Sequence, residues 1–286
     1  MRRVTRPSFT VGDALDRCIR HTQDEAFVAR AAAAAGALLA AELEYDAMGR
    51  LSELYKVREA VGVPGHLSGD DTKFLYSKLS SSTPATREIY DHIRGLAKGM
   101  ICPLCNQRTV STLDHYLSKA HHGALSITPL NLVPCCKDCN TDSGARRAAA
   151  PGDQTIHPYF DHMDDEVWLE ARMVEGRPPS AIFFVSPPAT WSQSKSSIAA
   201  THLSTFKLDA LYAAQAGQEL VNIYIDLVSS SALDTPESRR QHFTETSWRR
   251  RVPVKNSWQA ALYLAAAKSD WFCEDGYLQI SESELF

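Results

Sequence analysis

Two Cys-x-x-Cys pairs, Cys102/Cys105 and Cys136/Cys139, bracket the stretch that carries most of the unusual chemistry of this chain. Four thiolates in two closely spaced pairs suit a structural zinc site, in which a tetrahedron of sulfur closes the metal off from water. Each pair can sit on a tight knuckle. The gap between the pairs is wider than in a simple zinc ribbon, so a folded unit is expected between them. Cys135 directly precedes Cys136 and could in principle replace it; Cys136 is preferred because only it leaves two residues before Cys139. Inside this frame lie an Asp-His dipeptide, Asp114-His115, and an Asn in an apolar turn, Asn131.

The elements that must position these groups are short. The run from Arg108 to Asp114 is β-branched and bounded by polar turns, which predicts a strand delivering Asp114 and His115 at its end. Asn131-Leu132-Val133-Pro134 then leads into Cys136, Cys139 and Asn140, where a helix can start after the knuckle. The stretch therefore reads as β-β-α with a zinc ion at its base.

In this order of motifs the stretch resembles an HNH endonuclease module of the ββα-metal type, in its zinc-stapled variety. The matching residues are Cys102-Pro-Leu-Cys105, Leu113-Asp114-His115, Asn131-Leu132-Val133-Pro134 and Cys136-x-x-Cys139-Asn140, about a seventh of the chain. The resemblance implies that His115 is the general base that takes a proton from an attacking water, a task suited to an imidazole. It implies that Asp114 and Asn140 bind a catalytic divalent ion, Mg²⁺ or Mn²⁺, and that Asn131 fixes the loop beside the base. Lys119, Arg146 and Arg147 become the candidates for phosphate contact.

Two positions depart from the family pattern. Ser118 stands where a Pro is expected, which loosens a turn, and Ser143 stands where a Lys is expected, which removes a phosphate contact that Arg146 or Arg147 can take over. His121 and His122 read as exposed loop residues. The run Ile156-His157-Pro158-Tyr159-Phe160-Asp161 has a counterpart in HNH relatives and can pack beside the site. The preferred reading is a buried, hydrogen-bonded His next to a Pro-fixed turn.

A chain of 286 residues, 44% hydrophobic and 22% charged, has the composition of a globular protein with a sizeable core. Five of the seven cysteines crowd into the bracketed stretch, leaving Cys18 and Cys273, which favours metal binding in a reducing cytosol over a disulfide framework. The basic start is followed by Asp13 and Asp16 rather than an apolar run, and the Ala-rich run from Ala31 to Ala41 is too short to cross a bilayer. A cytoplasmic protein without membrane contact is expected. The net charge of −4 argues against indiscriminate nucleic-acid binding, yet Arg87 to Arg147 holds eight Lys and Arg against five Asp and Glu.

Around the bracketed stretch the chain reads as helix. Val11 to about Arg58 is helical, and a short helix runs from about Asp71 to Leu79. Thr83 is a candidate N-cap for the next, with Pro84 at its first position. Val167–Val174 and Ala181–Ser186 form a hairpin, expected to be half-buried near the zinc stretch. Leu208, Leu211 and Tyr212 mark one apolar stripe, and Leu220, Ile223, Tyr224 and Leu227 another. Trp248-Arg249-Arg250-Arg251 either grips nucleic acid or is a solvated helix face with its Trp tucked inward. Asn256 is a candidate N-cap, with Gln259 completing a capping box.

These readings combine into an α+β protein with three segments. Residues 1–98 form a helical N-terminal region, 99–162 the zinc-bound module, and 163–286 a β-hairpin plus a helical C-terminal region. The expected function is metal-dependent hydrolysis of phosphodiester bonds in DNA, with RNA left open, in bacterial defence against phage or foreign DNA. The resemblance also implies a separate regulatory ATPase, since the chain has no Walker motif of its own. The alternative is a non-catalytic zinc-stapled module that binds nucleic acid or protein.

Overall fold

The structure, a computed structural model, describes residues 2–20, 22–81 and 84–280. It is α+β and mostly helical, with two two-stranded antiparallel sheets. The chain divides into two compact units, one from Arg2 to His162 and the other from Met163 onward.

The first unit opens with helices α1 (Val11–Arg20), α2 (Glu25–Ala33) and α3 (Ala35–Arg50). Helix α1 buries Val11, Ala14, Leu15 and Cys18, the i, i+3, i+4, i+7 stripe of one helical face. The buried Glu42 of α3 accepts hydrogen bonds from the Val11 N–H at 3.0 and 3.2 Å, satisfying a donor at the start of α1. Asp24 caps α2 through the Phe27 N–H. The single helical region expected up to Arg58 is thus three helices, because this cap starts a new helix and the chain bends by 46° between α2 and α3. Among the described residues no single helix is long and apolar enough to cross a membrane; the bent α2–α3 pair has the composition, but Phe27, Ala31, Leu38 and Tyr45 of that pair are buried in the protein.

Helix α4 (Gly69–Leu79) starts in a Ser68–Asp71 capping box, and α5 (Pro84–Gly95) begins at the expected proline. The proposed cap Thr83 lies outside the described residues. Strands β1 (Thr112–His115) and β2 (Leu132–Cys135) pair antiparallel, with Asp114 opposite Val133 and His115 opposite Leu132, and helix α6 (Lys137–Ser143) follows directly. Pro134 is tolerated in β2 because a two-stranded sheet consists of edges only. Leu113, Ile127 and Leu132 from this segment join Leu38, Leu75, Leu79, Ile89 and Ile93 in one hydrophobic core, so α1–α5 and the cysteine-bracketed stretch fold as one body.

The second unit contains the hairpin β3 (Leu169–Val174) and β4 (Ser180–Val185), then α7 (Gln193–Thr205), α8 (Leu208–Ser229), α9 (Pro236–Arg251), α10 (Trp258–Lys268) and α11 (Asp270–Glu274). The hairpin packs on α8 and α10. The two apolar stripes expected between residues 208 and 227 belong to one helix, because Ala216 carries the buried line from Tyr212 to Leu220.

Asn256 is not a helix cap. The cap of α10 is Ser257, whose hydroxyl accepts from Ala260 N, and Asn256 serves the hairpin instead. Its Oδ1 accepts from the N–H groups of Trp168 and Leu169 at 2.9 and 3.1 Å, and its Nδ2 donates to the Glu166 carbonyl at 2.8 Å. Asn256→Ala strands these buried groups, at about 1–3 kcal/mol for each unsatisfied one. We expect a loss of about 3 kcal/mol or more in urea unfolding, and a loss below about 1 kcal/mol would refute the clamp.

At the basic end of α9 the structure corrects the placement of the Trp. Trp248 is 67% exposed rather than tucked inward. Its arginines are engaged within the protein: Arg249 pairs with Glu245, Arg250 with Glu219, and Arg251 donates to the Lys255 carbonyl. Arg239 is buried and donates to four backbone carbonyls, and Arg240 pairs with Asp270.

Candidate functional site

The cysteine frame closes on itself. The sulfurs of Cys102, Cys105, Cys136 and Cys139 all lie within 4.8 Å of one another, and all four residues are buried. A zinc ion with four sulfur ligands at 2.3 Å needs sulfur–sulfur separations of about 3.8 Å; Cys105 and Cys136 stand 4.0 Å apart. The cluster therefore fits a zinc ion. The knuckle turns are built for it: Asn106, just after Cys105, takes a left-handed conformation (φ 51°), which Asn tolerates better than most residues. Backbone N–H groups of Arg108 and Cys139 point at the sulfurs of Cys105 and Cys136, each at 3.4 Å.

Cys136 rather than Cys135 belongs to this cluster, as its spacing suggested. The reason lies in strand geometry. Cys135 ends β2, and successive strand residues face opposite sides, so only one of the two can look toward the other cysteines. Cys135 is buried outside the cluster, and burial pushes its thiol pKa up.

Along β1, a cavity of about 320 Å³ is lined by Asp114, His115, Ser118, Lys119, Asn140, Gly144 and Tyr76, among others. Asp114 and His115 arrive at the end of β1, Asn140 from α6, and Gly144 ends that helix with a positive φ of 56°. Lys119 comes from the loop after β1, and Tyr76 from α4.

Asp114 and His115 sit in contrasting states. His115, 6% exposed, donates its Nε2–H to the Ser126 carbonyl at 2.8 Å, since a carbonyl can only accept. That bond leaves the lone pair on Nδ1. Burial holds the His115 pKa down to about 3, so the ring is neutral near pH 7. Asp114, 9% exposed, has its pKa pushed up to about 7 by burial, a tendency opposed by a hydrogen bond with Ser143 and by the charge of Lys119. Among the described residues no ion pair reaches this carboxylate. Asp114 and Asn140 line the same cavity, and a carboxylate and an amide are oxygen-bearing groups of the kind that could serve a hard divalent cation.

The remaining candidates are placed elsewhere. Asn131 is fully buried and does not line the cavity; its Oδ1 accepts from Leu117 N at 2.8 Å, and its Nδ2 donates to the carbonyls of Leu117 and Leu125. It clamps the two ends of the loop between Leu117 and Leu125. Arg146 lines a different hollow and donates to the Asp153 carbonyl. Arg147 pairs with Glu59 and donates to His121 Nδ1. Neither lines the cavity, so of the three phosphate candidates only Lys119 does. Ser143, in place of the expected Lys, faces Asp114 instead of a phosphate path.

His122, expected to be exposed, is buried. The chain there docks on residues 60–62, with Ala60 N donating to the His121 carbonyl and Gly123 N to the Ala60 carbonyl. A Cβ on Gly123 would meet Gly62 N at 2.2 Å, so only glycine allows the approach.

His157 is a buried structural histidine. Its Nδ1 accepts from Tyr159 N, so its Nε2–H donates to the Tyr45 hydroxyl at 2.9 Å, and its ring lies against Tyr116 and Phe160. Tyr159 in turn donates to the Leu132 carbonyl of β2. Burial holds the His157 pKa down to about 3, below the unfolded value of about 6.5. The unfolded chain thus binds a proton that the folded chain refuses. Stability from this group is complete above about pH 6.5 and falls as pH drops, by about 1.4 kcal/mol per pH unit. We expect His157→Gln to lose one proton's worth of slope between pH 7 and 5 in urea unfolding; an unchanged slope would exclude His157 as the source.

Tyr76 is the cavity residue that motif reading missed. Nothing local distinguishes it from the other apolar positions of α4.

No family model matches this chain, and no solved structure matches it significantly. Over 225 residues the chain is 29% identical to Protein ea31 of Escherichia phage lambda, an alignment that spans 73% of this chain and 76% of that protein.

Proposed function

We propose that this protein is a metal-dependent endonuclease of the HNH type, with a zinc-stapled ββα-metal module that hydrolyses phosphodiester bonds in DNA. The observation that carries this reading is the convergence of Asp114, His115 and Asn140 on one polar cavity beside a cluster of four cysteines. His115 presents a neutral imidazole whose tautomer is set by Ser126, so Nδ1 is the atom that accepts a proton from water. An anionic phosphate beside the ring favours the imidazolium as the proton arrives. Asp114 and Asn140 would hold a divalent ion, which would supply Lewis-acid stabilisation of the negative charge that develops during phosphodiester hydrolysis. Lys119 contributes a cation for a non-bridging phosphate oxygen, and Asn131 keeps the intervening loop in place.

Incubating the purified protein with supercoiled plasmid and Mg²⁺ or Mn²⁺ tests the proposal. Nicked and linear products with ligatable 5′-phosphate and 3′-hydroxyl ends are expected. Metal-insensitive DNA binding without cutting would favour the binding-only module, and no affinity for DNA or RNA would favour a protein-interaction scaffold. The setting we propose is bacterial defence against phage or foreign DNA, with a separate ATPase as regulator; recovery of full, unregulated activity from the chain alone would remove the need for that partner.

A further inference from the structure

We propose that Tyr76, carried by α4 outside the cysteine-bracketed stretch, is a positioning residue of this cavity whose ring holds His115 and Lys119 in place together. The inference rests on the endonuclease reading above. The Tyr76 and His115 rings meet edge to face, with centroids 4.4 Å apart and planes at 65°. The same ring carries the Lys119 ammonium 4.5 Å from its centroid, and Tyr76 itself lines the cavity.

Each contact answers a need of the proposed reaction. His115 is anchored by a single hydrogen bond at Nε2, about which the imidazole can still tilt, and the aromatic neighbour limits that tilt. Lys119 sits on a flexible four-carbon stem and forms no close ion pair among the described residues, so the π face gives its ammonium a fixed seat in addition to the attraction of the nearby Asp114 carboxylate. Tyr76 can do this because its helix is firmly held: Thr72, Leu75 and Leu79 are buried, and the Ser68–Asp71 capping box fixes the start of α4. The base candidate and the phosphate-binding cation are thus tied to a helix that precedes them by a long stretch of chain.

The test compares Tyr76→Phe, which keeps the ring, with Tyr76→Leu and Tyr76→Met, which do not, using plasmid and Mn²⁺, with circular dichroism and zinc content as folding controls. Loss of the ring is expected to lower kcat about tenfold through misplacement of His115, and to raise KM about threefold through release of Lys119. Tyr76→Phe should recover most of both. In a Lys119→Met background the KM effect of Tyr76→Leu should vanish, since two residues acting through one contact are not additive. Wild-type kinetics in a folded Leu or Met variant, or an equal loss in Tyr76→Phe, would overturn the role of Tyr76 and leave the endonuclease reading standing. Absence of cleavage by the wild-type protein with either ion would overturn that reading and this inference with it.

Discussion

His115→Ala is expected to lower plasmid cleavage by about 10²–10⁴-fold, the usual worth of a positioned general base, while DNA affinity and zinc content stay near wild type. The expectation follows from two features of the imidazole. Its Nε2–H is committed to Ser126, which leaves Nδ1 as the one proton acceptor on the ring, and its depressed pKa keeps that acceptor free near neutral pH. Alanine removes the acceptor and leaves the proposed ion ligands, Asp114 and Asn140, in the sequence. Removing a buried ring and its hydrogen bond also costs stability, of the order of 2–4 kcal/mol for a large-to-small change, so the assay is run well below the unfolding temperature of the variant. Cleavage that survives at the wild-type rate in a folded His115→Ala protein would eliminate His115 as the base.

The second large effect concerns the cysteine cluster. Mass spectrometry of the native protein is expected to find one zinc per chain, and Cys139→Ser or chelation should remove it. A structural zinc contributes on the order of 10 kcal/mol to the segment that binds it. Here Leu113, Ile127 and Leu132 remain anchored in the shared core, so part of that loss is borne by local unfolding around β2 and α6. A drop in Tm of about 10 °C or more is expected, corresponding to a global loss of about 3–5 kcal/mol in a unit of this size. Cleavage should be lost with it, because α6 carries both Cys139 and Asn140. Cys135→Ser provides the control: outside the cluster, this residue should leave the zinc content unchanged. A metal-free native protein, or a Cys139→Ser variant as stable as the wild type, would show that the four thiols pack without an ion.

Much of the four-cysteine segment was legible in the chain because its chemistry is local. Cys-x-x-Cys spacing places two sulfurs on one knuckle whatever surrounds it, and strand alternation separates Cys135 from Cys136. The strand ending in Asp114-His115 and the helix opening after Cys136 depend likewise on neighbours within a few residues. Helix starts were less secure: a polar residue before an apolar run can cap the helix or be claimed by a distant partner. Asn256 was claimed by the backbone at Glu166, Trp168 and Leu169, and the cap moved to Ser257.

What only tertiary structure decided is which side chains share a space. Arg146 and Arg147 follow Ser143 by only three and four residues in sequence, yet Asp153, Glu59 and His121 hold them outside the cavity. Tyr76, far away in sequence, enters it because α4 packs into the same core as β1 and β2. Local spacing determines ligand sets and short elements, since those depend on bond geometry over a few residues. The makeup of a cavity depends on how helices pack across long separations, and in this chain that packing brought Tyr76 to His115 and Lys119.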